Sequence, residues 1–364
     1  MLIKSMKCIR VAVFSLFLLA FSSVVTAQDH AITHGEAKEE KFDPAKEIMG
    51  HIQDAYEFHF FSVGDFHATI HLPVILYSNQ KGWSVFSSSH FGHEGEETYN
   101  GYRLLKNQVV PIDPSEKIYD VSLTKNVVQM FIALAVLVLL MTGIARKYKR
   151  GEGVTSAPSG WQNAVEPVIT FVRDEVAKVN LGKRYQRYMP YLLTVFFFIL
   201  INNIFGLLPG SANVTGNVAF TAVMGIISFV VILFSSNKHY WGHIFNPQVP
   251  LGVKPILIPV EILGIFTKPF ALIVRLFANM VAGHIIILSF ISLIFIFGGM
   301  NKIAGWGFSP ISILFTVFIY FIEILVAFIQ AFIFTNLTAV FIGQAFEGSD
   351  HDVDGNDDGV VSPI

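Results

Sequence analysis

Fifty consecutive residues without an Asp, Glu, Lys or Arg separate Arg187 from Lys238. A soluble domain carries about 25% charged residues and cannot hide such a run. In lipid the same run is ordinary, because one helical crossing of the ~30 Å hydrocarbon core takes roughly 20 apolar residues. Fifty are too many for one helix, and the run from Leu208 to Asn217, with Pro209, Gly210, Asn213 and Gly216, divides them into a hairpin of two spans. Between Lys125 and Arg146 the twenty uncharged residues 126–145 form another span. Beyond Pro250 two apolar stretches, 253–298 and 309–346, flank a turn containing Gly298, Gly299 and Lys302. Both exceed one crossing, so they must tilt steeply, kink or lie partly along the membrane, with Pro255, Pro259 and Pro269 as kink positions in the first.

The pattern predicts an all-α polytopic membrane protein with about five transmembrane helices, the last two long and steeply tilted. A cytoplasmic interfacial helix and a small exported N-terminal domain complete it. Composition agrees: 53% of residues are hydrophobic and 14% charged. That excludes disordered and collagenous chains and ordinary cytosolic enzymes. A formal charge of −2 is too small to call for a polyanion, so no nucleic-acid partner is expected.

Residues 1–27 read as a signal peptide: Lys4, Lys7 and Arg10 precede an apolar core from Val11 to Phe21, and Val25-Thr26-Ala27 offers small residues for cleavage. Cleavage there removes Cys8 and three positive charges, taking the net charge from −2 to −5 and leaving no thiol chemistry. Residues 28–120 read as an exported N-terminal domain, 121–346 as the membrane domain and 347–364 as an acidic cytoplasmic tail. In the exported part, alternation from Phe66 to Leu72 followed by a turn near Asn79-Gln80-Lys81-Gly82 suggests a hairpin. Eight of the twelve histidines lie there (His30, His34, His51, His59, His67, His71, His90 and His93). They keep no metal-ligand spacing, so surface roles and no metal are expected. The tail's Asp350-His351-Asp352-Val353-Asp354-Gly355 imitates the start of a calcium loop, but Val361 stands where the closing Glu belongs.

Orientation follows from charge. The loop 146–187 holds nine Lys and Arg, while 208–217 holds none. The positive-inside rule puts the first loop in the cytoplasm, which agrees with an exported N-terminus and a cytoplasmic C-terminus after five crossings. Within that loop Trp161, Val165, Val168, Val172, Val176 and Val179 recur at helical spacing opposite Arg173, Asp174, Glu175 and Lys178, the pattern of an interfacial amphipathic helix.

From Leu251 to Phe346 only Lys254, Glu261, Lys268, Arg275, Lys302 and Glu323 are charged. An Arg, Lys or Asp at a spanning helix's centre costs about 2.5–3.5 kcal/mol on insertion scales, so such residues tend to be functional. Lys254 and Lys302 belong at helix ends. Glu261, Lys268 and Arg275 are seven apart and Asn279 follows four later, one helical stripe if Pro269 keeps the register. Glu323 and Gln330 share a face in the second stretch, and His284 stands half a turn round from Arg275. Structural pairing suits Lys268 with Glu261, and Glu323 could pair with Arg275 or His284. Arginine keeps its proton at working pH, so it can fix an anion or block a proton but not relay one. Histidine and glutamate can relay protons. Together this is the chemistry of ion translocation.

These residues carry a resemblance. Val274-Arg275-Leu276-Phe277-Ala278-Asn279-Met280-Val281-Ala282-Gly283-His284 is similar to the signature of subunit a of the F-type ATP synthase, as is Gln330-Ala331-Phe332-Ile333-Phe334. Ile201-Asn202-Asn203-Ile204-Phe205-Gly206-Leu207-Leu208-Pro209 and Thr215-Gly216-Asn217 extend the likeness, which runs from about residue 120 to 346. Ala278, where Gly is common, and the long N-terminal domain depart from the family. The resemblance implies a bacterial inner-membrane stator subunit facing a ring of c subunits, with b subunits of the peripheral stalk and the complete ATP synthase complex as partners. It implies that Arg275 is the stator arginine, which holds the arriving c-ring carboxylate charged and separates two offset half-channels. Asn279, His284, Glu323 and Gln330 fall at positions the family associates with the exported-side channel, and Glu261 with the cytoplasmic side.

No cofactor is expected, and the absence of G-x-x-x-x-G-K-[ST] leaves nucleotide chemistry to other subunits, so the chain is no enzyme by itself. An alternative is a secondary transporter binding an anionic substrate at Arg275, but no internal repeat supports it. A third class is an assembly subunit whose buried charges only pair.

Overall fold

The computed structural model describes residues 53–63, 66–92, 97–105, 107–153, 157, 160–208, 210–245, 249–250, 252–300 and 302–346. The signal-peptide and tail expectations, and the histidines at 30, 34, 51 and 93, lie outside the described residues.

The membrane part is helical: α1 (Lys125–Lys149), α2 (Trp161–Phe171), α3 (Tyr185–Gly206), α4 (Val218–Ser235), α5 (Lys238–Phe245), α6 (Lys254–Met300) and α7 (Lys302–Phe346). Five segments are long and apolar enough to span, with α2 and α3 forming one continuous helical stretch. α6 has 47 residues, about 70 Å of helix, more than twice the hydrocarbon thickness.

The chain divides into two compact units. One comprises the described residues up to 132, with 205–214 and 284–319. Its N-terminal part holds strands β1 (Glu57–Val63), β2 (Phe66–His71), β3 (Pro73–Ser78), β4 (Gly82–Ser87), β5 (Tyr102–Leu105), β6 (Gln108–Pro111) and β7 (Ile118–Asp120). They form an antiparallel β1–β2 pair, a three-stranded β4–β3–β7 sheet and a β5–β6 pair. The turn at 79–81 is where the sequence puts it, but the strand entering it is β3. The alternating segment β2 instead pairs back on β1, and the bond from Leu72 N–H to the Tyr56 carbonyl (3.0 Å) carries that pairing one residue further. Tyr56, Val74, Leu76, Phe86, Phe91, Tyr102 and Val109 make the core. Asn100 and Gly101, both at positive φ, form a two-residue turn between the paired residues Tyr99 and Tyr102, the conformation that favours Asn-Gly.

This part is tied to the first span. Lys125 N–H donates to the Ala55 carbonyl (2.9 Å), and the Asp54 carboxylate accepts from Asn126 N–H (3.2 Å), which caps the first turn of α1. Burial raises the Asp54 pKa despite the opposing hydrogen bonds from Thr124, Asn126 and Ala55. Further along α1, Gln129 grips both the N–H and the carbonyl of Ala212 (2.7 and 2.6 Å). In the same unit the two long helices meet tip to tip: Phe297 stacks on Phe308 (4.0 Å), and a Cβ on Gly305 would reach Gly298 Cα at 2.7 Å. With that close approach α7 begins at Lys302 and takes in residues 302–308, which the sequence assigns to the turn.

The other unit comprises the described residues within 133–204, 215–283 and 320–346. α3 supplies much of its core through Leu192, Phe196 and Ile199. The helix in the basic loop is longer than one regular element, because α2 continues as a π turn at Val172–Lys178 and a last turn at Val179–Leu181. Val165, Val172 and Val176 are buried as the spacing predicts, but Trp161 and Val179 are exposed. The π turn widens the helix and turns Ala177 inward in place of Val179. The buried face lies on α7, with Phe171 against Phe332 (5.3 Å) and Asn180 Nδ2 donating to Asn336 Oδ1 (2.8 Å).

Candidate functional site

α6 stays helical through Pro259 and Pro269. Seven residues advance the helix about 20° short of two full turns, so Glu261, Lys268, Arg275 and Asn279 do share one stripe. Leu272, Leu276 and Met280 pack inward, whereas Arg275 and Asn279 are exposed. An apolar helix thus carries an exposed arginine, with Glu261 and Lys268 of the same stripe half-buried.

Arg275 makes no ion pair, hydrogen bond or ring contact among the described residues. Of the two acids in the long helices, neither reaches it. Lys268 likewise forms no ion pair with Glu261; its Nζ donates to Gln344 Oε1 (2.9 Å) and lies over the Phe341 ring (5.1 Å). The heptad spacing suits an ion pair along α6, but the flexible lysine stem finds a neutral acceptor and an aromatic face on α7 instead.

One turn beyond Arg275, Asn279 Nδ2 donates to Gln330 Oε1 (2.8 Å), joining the two sequence motifs directly. Gln330 is buried, as are Ala327, Ala331 and Phe334 on the same helix. A further turn along, Glu323 is buried with its carboxylate against the backbone of Gly283. A Cβ at Gly283 would fall on Glu323 Oε1, so only glycine leaves room for the acid there. α3 braces the same stretch of α7, for Asn203 Nδ2 donates to the Ala327 carbonyl (3.2 Å) and Phe196 meets Phe328 edge to face (5.6 Å).

His284 belongs to the other unit. Its Nε2 lies 2.9 Å from the Gly206 carbonyl at the end of α3. A carbonyl can only accept, so Nε2 carries a proton in this contact.

The structure therefore brings Asn279 together with Gln330, places Glu323 at Gly283 and leaves Arg275 facing outward. Gly283, Gln344 and the carbonyl of Gly206 were not identified from sequence as contributors. Gly283 stands inside the arginine motif, but a glycine announces a close approach only once the partner is known. The Asn202-Asn203 pair is visible as a motif, though its bracing role depends on which helix α3 touches.

Residues 127–343 match the family described as ATP synthase A chain, and residues 47–130 match a domain family of unknown function. The chain is 47% identical to ATP synthase subunit a of Chloroherpeton thalassium over 237 residues, 64% of this chain and 69% of that one. Against ATP synthase subunit a of Chlorobium phaeobacteroides (strain DSM 266) it is 42% identical, covering 69% and 75% of the two chains. Against ATP synthase subunit a 2 of Prosthecochloris aestuarii the figures are 40%, 72% and 83%.

Proposed function

The chain belongs to the ATP synthase A chain family, and from that premise we propose that Arg275 is the fixed cation past which a ring of c subunits carries its protons. The chain is a multi-pass membrane protein and a proton-translocating stator subunit of the ATP synthase complex. What carries the assignment of Arg275 is its lack of a partner among the described residues. A guanidinium on a spanning helix has to be compensated. Glu323 lies at Gly283, about two turns along α6, and Lys268 and Asn279 spend their hydrogen bonds on α7. The compensating anion for an exposed Arg275 is then a carboxylate from outside, supplied by a c subunit.

The roles follow from proton chemistry. Arg275 stays charged at any working pH, so it holds the approaching carboxylate ionised and bars protons from passing directly along α6. Glu323 and His284 can bind and release protons, and with Asn279 and Gln330 they form the exported-side half-channel. Glu261, at the opposite end of the stripe, serves the cytoplasmic side. Lys268 is a packing cation that holds α6 on α7.

In this reading the chain does no chemistry on nucleotides by itself. It sits in a bacterial inner membrane with its N-terminus exported and its C-terminus cytoplasmic, and it is held by the b subunits of the peripheral stalk. Residues 28–120 form the exported domain, 121–346 the membrane domain, and the segments 1–27 and 347–364 a signal peptide and a cytoplasmic tail. The experiment is the double substitution Arg275→Gln with Glu323→Ala in the assembled complex. Loss of coupled proton flux is expected, whereas an assembly subunit whose charges only pair would keep it.

A further inference from the structure

The β4–β3–β7 sheet has two unlike faces. Val74, Leu76 and Phe86 point into the core of the N-terminal part. On the other face, beyond the Pro73–Ser87 pair beside Leu123, the cross-strand neighbours fall into two rows. Val85, Ile75 and Val121 make an aliphatic row, since Ile75 pairs with Val85 and accepts from Val121 N–H (2.9 Å). Trp83, Tyr77 and Tyr119 make an aromatic row two residues along, with ring centroids 5.1 and 6.3 Å from Tyr77. Trp83 and Val85 are each 66% exposed and Val121 50%. The next positions outward, Asn79 and Lys117, are polar and exposed.

The order of these rows relative to α1 is fixed by the backbone. After Tyr119 and Val121 the strand runs on, Leu123 N–H donating to the Pro73 carbonyl (3.4 Å), and α1 starts at Lys125. The sheet and the first turns of α1 lie in one compact unit. Moving away from the spanning helix, the exposed face is therefore aliphatic, then Trp and Tyr, then polar and cationic, in steps of about 7 Å. That is the polarity sequence of a bilayer from acyl chains through the headgroup boundary, where Trp and Tyr place apolar rings and polar tips, to water. A protein-binding patch has no reason to be graded by its distance along the backbone from a membrane helix.

We propose that this sheet face lies on the lipid surface at the N-terminal end of α1, with Val85, Ile75 and Val121 at the acyl boundary and Trp83, Tyr77 and Tyr119 among the headgroups. The N-terminal part then rests on the bilayer, and the Asp54 cap of α1 transmits that placement to the first span. The inference does not depend on the roles of Arg275 or Glu323, nor on which side of the membrane this part occupies.

The test uses the full chain in its assembled complex, in vesicles of phosphatidylethanolamine and phosphatidylglycerol. Cys8 is replaced by Ser, and single cysteines at Val85→Cys, Lys117→Cys and Val138→Cys carry an environment-sensitive fluorophore. Val138 is exposed midway along α1 and reports lipid. The expected result is that lipid-borne nitroxide quenches the Val85 label several-fold more than the Lys117 label, while aqueous iodide does the reverse. Tyr119→Cys gives the same reading if Val85→Cys does not assemble. Iodide quenching at Val85 equal to that at Lys117 would overturn the proposal by placing the face in water. Shielding from both quenchers, with Val138 still lipid-quenched, would overturn it by placing the face under another protein.

Discussion

Glu116 and Arg275 are both charges that an apolar setting should reject, and the molecule treats them in opposite ways. Glu116 is sealed in the N-terminal part, with 1% of its side chain exposed. Its carboxylate accepts from Lys81 Nζ (2.9 Å) and the Tyr102 hydroxyl (3.0 Å). Hydrogen bonds from Ser78, Lys81 and Tyr102 hold its pKa below the ordinary glutamate range. Arg275 sits on an apolar spanning helix, exposed, with no such shell among the described residues. A charge that is fully answered inside the chain maintains the fold. One that is left unanswered on a membrane helix is, in the role proposed for Arg275, kept for a partner that comes and goes.

The comparison breaks most visibly at Arg275. Arg275→Lys keeps the positive charge but replaces a permanently charged planar group with an amine whose pKa desolvation can lower. ATP-driven proton pumping is expected to be lost while the subunits still assemble, and normal pumping with lysine would show that any cation suffices.

A smaller effect is expected at Gly283. Gly283→Ala pushes a methyl group onto Glu323 Oε1, so the carboxylate must leave its place on α6. Pumping should slow several-fold with no added passive leak, because the proposed barrier at Arg275 is left untouched. A large leak in that variant would move the barrier from Arg275 to Glu323.

Glu116→Gln should leave pumping nearly unchanged and act on stability alone. A buried hydrogen-bonding group deprived of its proper partner costs about 1–3 kcal/mol. The sign with pH follows from the lowered pKa. The stabilisation is complete above the ordinary carboxylate pKa and fades as pH falls through the lower value of the folded state. Hydrogen exchange at the Tyr102 and Val109 amides should therefore separate native and variant chains at neutral pH and converge in acid. Comparing the two chains cancels the opposite contribution of Asp54, whose pKa is raised by burial.

The contrast also explains what could be read from sequence. Spans, their number and the polar stripe of α6 were legible because lipid imposes one rule, apolar outside and helical throughout, and local composition records it. Arg275 stood out because it violates that rule. The partners were not legible. That Lys268 chooses Gln344 over Glu261, or that Gly283 makes room for Glu323, depends on how α6 lies on α7, and spacing along one helix cannot express it. The β part hid for a similar reason. Its strands are three to seven residues long, and β2 was assigned to the wrong neighbour because its partner β1 precedes it and carries no alternation of its own that the sequence singles out.

The central claim is that Arg275 answers a carboxylate outside its own chain. The most direct measurement is ATP-driven acidification of inverted membrane vesicles carrying the complete complex, native against Arg275→Ala. The account predicts that acidification disappears while the subunits remain assembled in native proportion. Unchanged acidification would contradict it and make Arg275 a packing charge.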